Sequence, residues 1–229
     1  MKPELAPRLD VLPEAQRLLW PKLKPAADLD FALYGGTAIA LRLGHRSSVD
    51  FDFFSEAPLD RAALYEAMPH LAVARVLQDR PDTLTLLVTP EDTSTDTVKL
   101  SFFGSITLGR VGIPQWTNDK VAQIASPEDL LGTKLKVVLQ RIESKDYLDI
   151  AAILASGISL SIGLGSASAL FGPAFQPSEC LKALVYFEGG DLDVLPLDVR
   201  HQLIACVKNV DDIPRLQILD RRLTLIAGS

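Results

Sequence analysis

The chain is poor in cysteine and histidine and has no excess of positive charge, and each shortage excludes something. It has only two cysteines, Cys180 and Cys206, far apart and without metal-type spacing, which reads as buried thiols rather than a disulfide or a ligand pair. Of the three histidines, His70 and His201 stand alone, as ordinary core or surface residues do. The formal net charge is −6, so composition predicts no broad nucleic-acid footprint, and any RNA would have to be held by a local patch. No apolar run approaches the ~20 residues of a membrane helix. The N-terminus carries alternating charges and prolines instead of the apolar centre of a signal peptide, so a cytoplasmic protein with no membrane partner is expected. Internal repeats and low-complexity segments are absent too.

What is present is enough hydrophobic sequence for a sizeable core, 48% of 229 residues, in one large domain or two small ones. Residues 31–34 form a short apolar run that ends in Gly35-Gly36, which suits a buried strand turning sharply, because glycine enters positive φ without a Cβ clash. Thr37 to Leu43 has helical composition, and Gly44 supplies a left-handed stop. The amides of Gly36 and Thr37 then stand at a helix N-terminus, whose partial positive charge favours a phosphate, and Thr37 adds a hydroxyl. His45 and Arg46 follow in the next loop, in reach of the same phosphate or serving the loop alone.

The segment Val49-Asp50-Phe51-Asp52-Phe53 alternates with the period of a strand. Asp50 and Asp52 leave one face, and Val49, Phe51 and Phe53 leave the other. Two carboxylates so close repel unless a cation lies between them, and a hard divalent ion, Mg²⁺ first, is the natural occupant. The apolar face would anchor the pair to a rigid element.

Around this stretch, residues 13–23 begin as a helix that Pro21 ends or kinks, with Trp20 and Leu23 packing on the sheet. Residues 59–68 read as a helix introduced by Pro58. Residues 71–77, 83–88 and 97–103 read as strands, with a turn at 79–82. Together with 31–34 and 49–53 they give a sheet of about five strands with helices on one side. Ser126-Pro127-Glu128-Asp129 is a strong helix start and marks the boundary between residues 1–125, an α/β core, and residues 126–229, a helical domain. Along this helix Leu131, Leu135, Val138 and Ile142 form a buried stripe. If the helix runs on, Lys134, Arg141 and Lys145, spaced by seven and four, line one edge of that stripe. Residues 160–171, 177–187 and 197–207 read as further helices, with Tyr186 and Phe187 as core, and 215–226 as a last helix or an extended tail.

Gly35-Gly36-Thr37 followed by Asp50-x-Asp52 resembles the first motif of DNA polymerase β-like nucleotidyltransferases. The longer string from Gly35 through Arg46 and on to Ser55 is similar to the AbiEii/AbiGii group of nucleotidyltransferase toxins. A second block matches the same group: Asp129-Leu130-Leu131-Gly132-Thr133-Lys134, then Arg141, then Lys145-Asp146-Tyr147-Leu148-Asp149. The resemblance implies an α+β fold, a polymerase β-like core followed by a helical domain. It implies a Mg²⁺-dependent transfer of a nucleoside monophosphate from a nucleoside triphosphate to an acceptor hydroxyl, on tRNA or another nucleic acid, opposed by a separately encoded antitoxin. It also implies that Lys134 contacts the phosphates, that Arg141 and Lys145 join it, and that Asp146 steers the acceptor hydroxyl or orients Lys134.

One departure stands out. The polymerase β-like pattern wants a third carboxylate on a later strand, and residues 98–103 offer Ser101 instead. Asp92 and Asp96 are close in sequence but fall in a polar loop. Ser101 therefore keeps a competing reading open, a nucleotide-binding interaction module without catalysis. An aminoglycoside-type nucleotidyltransferase would share the first motif and lack the second block.

Overall fold

The computed structural model describes residues 4–90 and 96–225. Two compact units emerge. The first comprises the described residues up to Gly109, Ile113–Ala125 and those from Asp220 on; the second is Arg110–Gly112 with Ser126–Leu219.

In the first unit α1, Glu14–Leu19, gives way at Pro21 to a 3₁₀ turn over Trp20–Leu23 and then to α2, Lys24–Asp28. The proline does break the α-helix, as its missing N–H requires. Trp20 and Leu23 are buried, and the Trp20 ring lies 5.9 Å from that of Phe51. Strand β1, Ala32–Tyr34, leads into α3, Gly35–Leu43, which stops at Gly44 with φ 67°. After it come β2 (Asp50–Phe54), α4 (Arg61–Ala67), β3 (Arg75–Arg80), β4 (Thr83–Val88), β5 (Val98–Phe103), β6 (Gln115–Trp116) and β7 (Gln123–Ile124).

The strands form one mixed sheet in the order β3-β4-β5-β2-β1-β7-β6. Among the described residues it has seven strands where about five were expected. The two extra ones, β6 and β7, are two residues each and too short to show an alternation. The strand expected over 71–77 is also displaced: Pro69–Val73 is a 3₁₀ turn, and β3 runs to Arg80 with only Pro81-Asp82 joining it to β4. β3 is a sheet edge exposed along its whole length, so it carries no buried face for alternation to report. The helix expected from 59 starts at Arg61, where Asp60 accepts a hydrogen bond from the Ala63 amide at 3.0 Å.

Phe51, Phe53 and Phe102 are fully buried, and the Phe53 and Phe102 rings stack at 5.4 Å. This aromatic layer fixes β2 against β5. Val49, expected on the same apolar face, lies before the strand begins and is exposed, its carbonyl accepting from Gln16 Nε2 at 2.7 Å.

The second unit is helical: α5 (Pro127–Val137), α6 (Ser144–Ala155), α7 (Leu160–Phe171), α8 (Pro177–Val185) and α9 (Leu197–Lys208). Ser126 caps α5, its hydroxyl accepting the Asp129 amide at 3.0 Å. The buried Asp129 carboxylate in turn accepts the Val111 and Gly112 amides at 2.7 and 3.2 Å, tying the 110–112 segment to the helix. Burial pushes this carboxyl above its usual range, while the hydrogen bonds it accepts draw it back. Gly163 lets α7 approach α5 closely, since a Cβ there would stand 2.4 Å from Leu131 Cδ2. No single helix among the described residues is long and apolar enough to cross a membrane. One bent pair, Ser144–Ala155 with Leu160–Ala174, passes that test together, but Ile150, Ile153, Leu160 and Leu164 from it are buried inside this unit.

Three local expectations fail here. The α5 helix ends at Val137 and does not run on to Lys145, although neither proline nor glycine marks the stop. Arg141 reaches Asp146, five residues ahead, and residues five apart in a continuous helix do not share a face. The pair forms across the break, with Arg141 between α5 and α6. Ile142 is consequently exposed instead of completing the buried stripe, and Tyr186 is exposed because α8 ends at Val185. The segment after Arg215, expected as a last helix or an extended tail, holds no helix up to Leu225, and Ile226 lies outside the described residues. Both cysteines are free; Cys180 is buried, and Cys206 only half-buried.

Candidate active site

The turn between β1 and α3 decides the geometry of the first unit's site. Gly35 has φ 75°, and a Cβ there would lie 2.6 Å from Asp52 Oδ2, so backbone and carboxylate approach as only glycine permits. Thr37, next along α3, is buried. Its hydroxyl lies 2.7 Å from that of Ser48 and donates to the Asp50 carbonyl. This side chain ties α3 to β2; it faces inward and leaves the outer side of the turn to backbone amides.

Asp50 and Asp52 share one face of β2, with Phe51 and Phe53 buried on the other. β5 runs parallel to β2 in the register Asp50↔Lys99 and Asp52↔Ser101, which brings both partners onto the carboxylate face. Lys99 Nζ lies 2.9 Å from Asp50 Oδ2. Ser101 is buried at the place where a third acid would stand. Lys99 was missed in the sequence reading, although its spacing of two from Ser101 was the available signal. Tyr34 stacks on Phe54 at 4.9 Å, and Phe54 meets Phe103 edge-on at 5.2 Å. The same face thus passes from charged to aromatic along β2.

Arg46 lies in the loop between α3 and β2, where Nη1 donates to the Ser47 carbonyl at 2.9 Å. Asp96 falls in the segment before β5, and Asp92 lies outside the described residues.

The donor set suits a hard divalent cation: two carboxylates on a rigid strand, a glycine cradle against one and a lysine ammonium already standing on the other as a cation. Among the described residues no third His, Cys, Asp or Glu joins them as a metal cluster. Asp50 and Asp52 would be its protein ligands.

The residues of the second block make a separate cluster inside the second unit. Asp146 and Asp149, three apart on α6, share a face, and both side chains are fully buried. Lys134 Nζ lies 2.6 Å from Asp146 Oδ1 and 2.7 Å from Asp149 Oδ2, with only 7% of the side chain exposed. Arg141 grips Asp146 with two nitrogens, Nε at 2.8 Å and Nη2 at 3.0 Å. Burial pushes the Asp146 carboxyl up, but the Arg141 hydrogen bond and the Lys134 charge outweigh it and hold it below the usual carboxylate range. Lys145, by contrast, is half-exposed and pairs with Glu143 at 2.7 Å. Lys134, Arg141 and Asp146 are thus brought together, by a folded-back helix pair and not by one continuous helix edge. Asp149 belongs with them.

The profile described as "Nucleotidyl transferase AbiEii toxin, Type IV TA system" matches residues 17–179, well over half of the chain. The chain belongs to the AbiEii nucleotidyltransferase toxin family. Two solved structures share the fold. An antigenic nucleotidyltransferase-like protein from Paracoccidioides brasiliensis superposes with a TM-score of 0.54 at 18% identity, over 85% of this chain and 93% of that one. MenT4, a nucleotidyltransferase toxin from Mycobacterium tuberculosis, superposes with a TM-score of 0.51 at 15% identity, over 83% and 81%. An uncharacterised Aquifex aeolicus protein is 36% identical over 123 residues, 53% of this chain. The alignment spans 56% of that relative, about half its length. Gly35, Asp50, Asp52, Lys134, Arg141 and Asp146 all lie inside the segment that matches the AbiEii profile.

Proposed function

We propose that this AbiEii-family protein is a Mg²⁺-dependent nucleotidyltransferase that moves a nucleoside monophosphate from a nucleoside triphosphate to an acceptor hydroxyl on tRNA or another RNA, acts in the cytoplasm and is opposed by an antitoxin. The observation that carries this reading is the packing of Gly35 against Asp52, which fixes a positive-φ turn and a helix N-terminus beside a strand that carries two carboxylates on one face. Backbone amides of Gly36 and Thr37 at the start of α3, in the turn that Gly35 opens, bind triphosphate oxygens, helped by the dipole of that helix. Thr37 holds the turn to β2, which keeps those amides and Asp50 in a fixed relation. Arg46, in the following loop, adds a cation for the phosphates. A divalent cation on Asp50 and Asp52 would supply neutralisation of the charge that develops as pyrophosphate leaves.

In the second unit Asp146 and Asp149 orient Lys134, leaving one of the ammonium's three donors for a phosphate oxygen. Arg141 and Lys145, both about half-exposed, supply further positive charge. Arg141 also locks Asp146 in place.

Ser101 favours a second reading, a nucleotide-binding module that does not transfer, since β5 brings a hydroxyl and not an acid opposite Asp52. Incubation with each labelled triphosphate, Mg²⁺ and total tRNA separates the two. Label passing to RNA supports transfer, whereas nucleotide binding without transfer supports the module. Label appearing instead on an added aminoglycoside would make the protein a drug-modifying enzyme.

A further inference from the structure

We infer that Lys99 is a resident counter-ion of the metal site, which weakens the hold of Asp50 on a bare divalent cation and is released when phosphates arrive. The inference rests on the reading of Asp50 and Asp52 as metal ligands. Its basis is the β2/β5 register, which sets Lys99 opposite Asp50 and Ser101 opposite Asp52, and the 2.9 Å ion pair that follows.

Lys99 and Lys134 stand differently against their carboxylates. Lys134 bridges two fully buried acids, with 7% of its side chain exposed. Lys99 and Asp50 are 38% and 36% exposed, so the Lys99 ammonium can leave Asp50 for water or for another anion by turning on its flexible four-carbon stem.

Mg²⁺-like ions give up water reluctantly and are captured by carboxylates in combination with substrate phosphates. In this site one of the two carboxylates is already neutralised by an ammonium, and the third position is a buried serine with no charge to offer. A bare dication would have to displace Lys99 for only two protein ligands. A polyphosphate changes that balance. It brings the metal with its charge largely neutralised, supplies the missing oxygens, and offers Lys99 a new anion to pair with as it releases Asp50. Lys99 thereby couples loading of the metal to loading of the phosphates, a positioning role distinct from that of a metal ligand.

The test is titration of the full chain with Mn²⁺ alone and with preformed Mn²⁺–tripolyphosphate, read by calorimetry and by the electron paramagnetic resonance of free Mn²⁺. The wild type is expected to bind the complex well and the bare ion poorly. Lys99→Met should tighten binding of bare Mn²⁺ on the order of tenfold, the effect of removing a unit positive charge a few ångströms from a dication in a water-exposed site. The preference for the complex should narrow accordingly. Lys99→Gln, which keeps a polar side chain on the strand, should give the same result. Unchanged affinity for bare Mn²⁺ in both variants, with binding of the complex still abolished by Asp50→Asn, would overturn the role of Lys99 and leave the metal reading intact. No binding of either form in any protein, or binding that Asp50→Asn leaves untouched, would instead remove the metal reading on which the inference rests.

Discussion

Replacing Lys134 by methionine tests the buried cluster of the second unit most sharply, because it removes a charge while nearly preserving length and volume. In the wild type one ammonium serves two fully buried carboxylates, at 2.6 and 2.7 Å. After the substitution Arg141 still grips Asp146, but the two acids have lost the cation they share. Removing one partner of a buried pair costs about 3–5 kcal/mol, since the remaining charge stays desolvated. Taking about 4 kcal/mol from a total stability of roughly 5–15 kcal/mol leaves a protein that still folds. At about 3 °C per kcal/mol for a chain of this size, the melting temperature should fall by roughly 12 °C. Equilibrium urea unfolding followed by circular dichroism measures the loss directly. The triple variant Lys134→Met, Asp146→Asn, Asp149→Asn should recover most of it, since no buried charge is left unpaired and Arg141, which loses Asp146, is half-exposed to water. A loss below about 1 kcal/mol, the range of an exposed ion pair, would refute the description of this cluster as a desolvated network.

Four further outcomes are expected. Asp146 has its folded carboxyl held below the ordinary value of 3.8, so its contribution is fully present above that value and is lost as pH falls through the lower folded one. Urea titrations between about pH 5 and pH 2 should show this acid limb in the wild type and a shallower one in Asp146→Asn. Gly35→Ala should cost about 1–3 kcal/mol, because it strains a φ of 75° and drives a Cβ to 2.6 Å from Asp52 Oδ2; nucleotide titration should show weaker binding as well. Thr37→Val should destabilise by about 1–2 kcal/mol in thermal melts by removing the hydroxyl that holds α3 to β2. With a thiol-specific chromogenic reagent at neutral pH, Cys206 should react while Cys180, fully buried and with its thiol pushed up to about 12, should react only after unfolding.

Much of the first unit was legible from local rules because local physics decides it. The Gly35 turn, the left-handed Gly44 stop and the Asp50/Asp52 face all follow from positive-φ glycine and the period of a strand, and all three are present. The Ser126 cap was readable for the same reason. What sequence could not supply was register. Lys99 became a partner of Asp50 only when β5 was laid parallel to β2 with those residues opposite each other. β6 and β7 were invisible because two residues carry no period. The break after Val137 escaped because no local breaker, neither proline nor glycine, marks it. Lys134, Arg141, Lys145 and Asp146 were singled out through a resemblance, while the single helix edge expected for Lys134, Arg141 and Lys145 was misjudged, since their spacing of seven and four assumes a helix that does not continue.

The central claim is that Asp50 and Asp52 make nucleotide binding dependent on a divalent ion. Calorimetric titration of each nucleoside triphosphate into wild type and Asp52→Asn, with and without Mg²⁺, tests it most directly. The account predicts Mg²⁺-dependent binding of at least one triphosphate by the wild type, and its loss in Asp52→Asn with the melting temperature preserved. Binding of equal strength without Mg²⁺, or undiminished in Asp52→Asn, would contradict it.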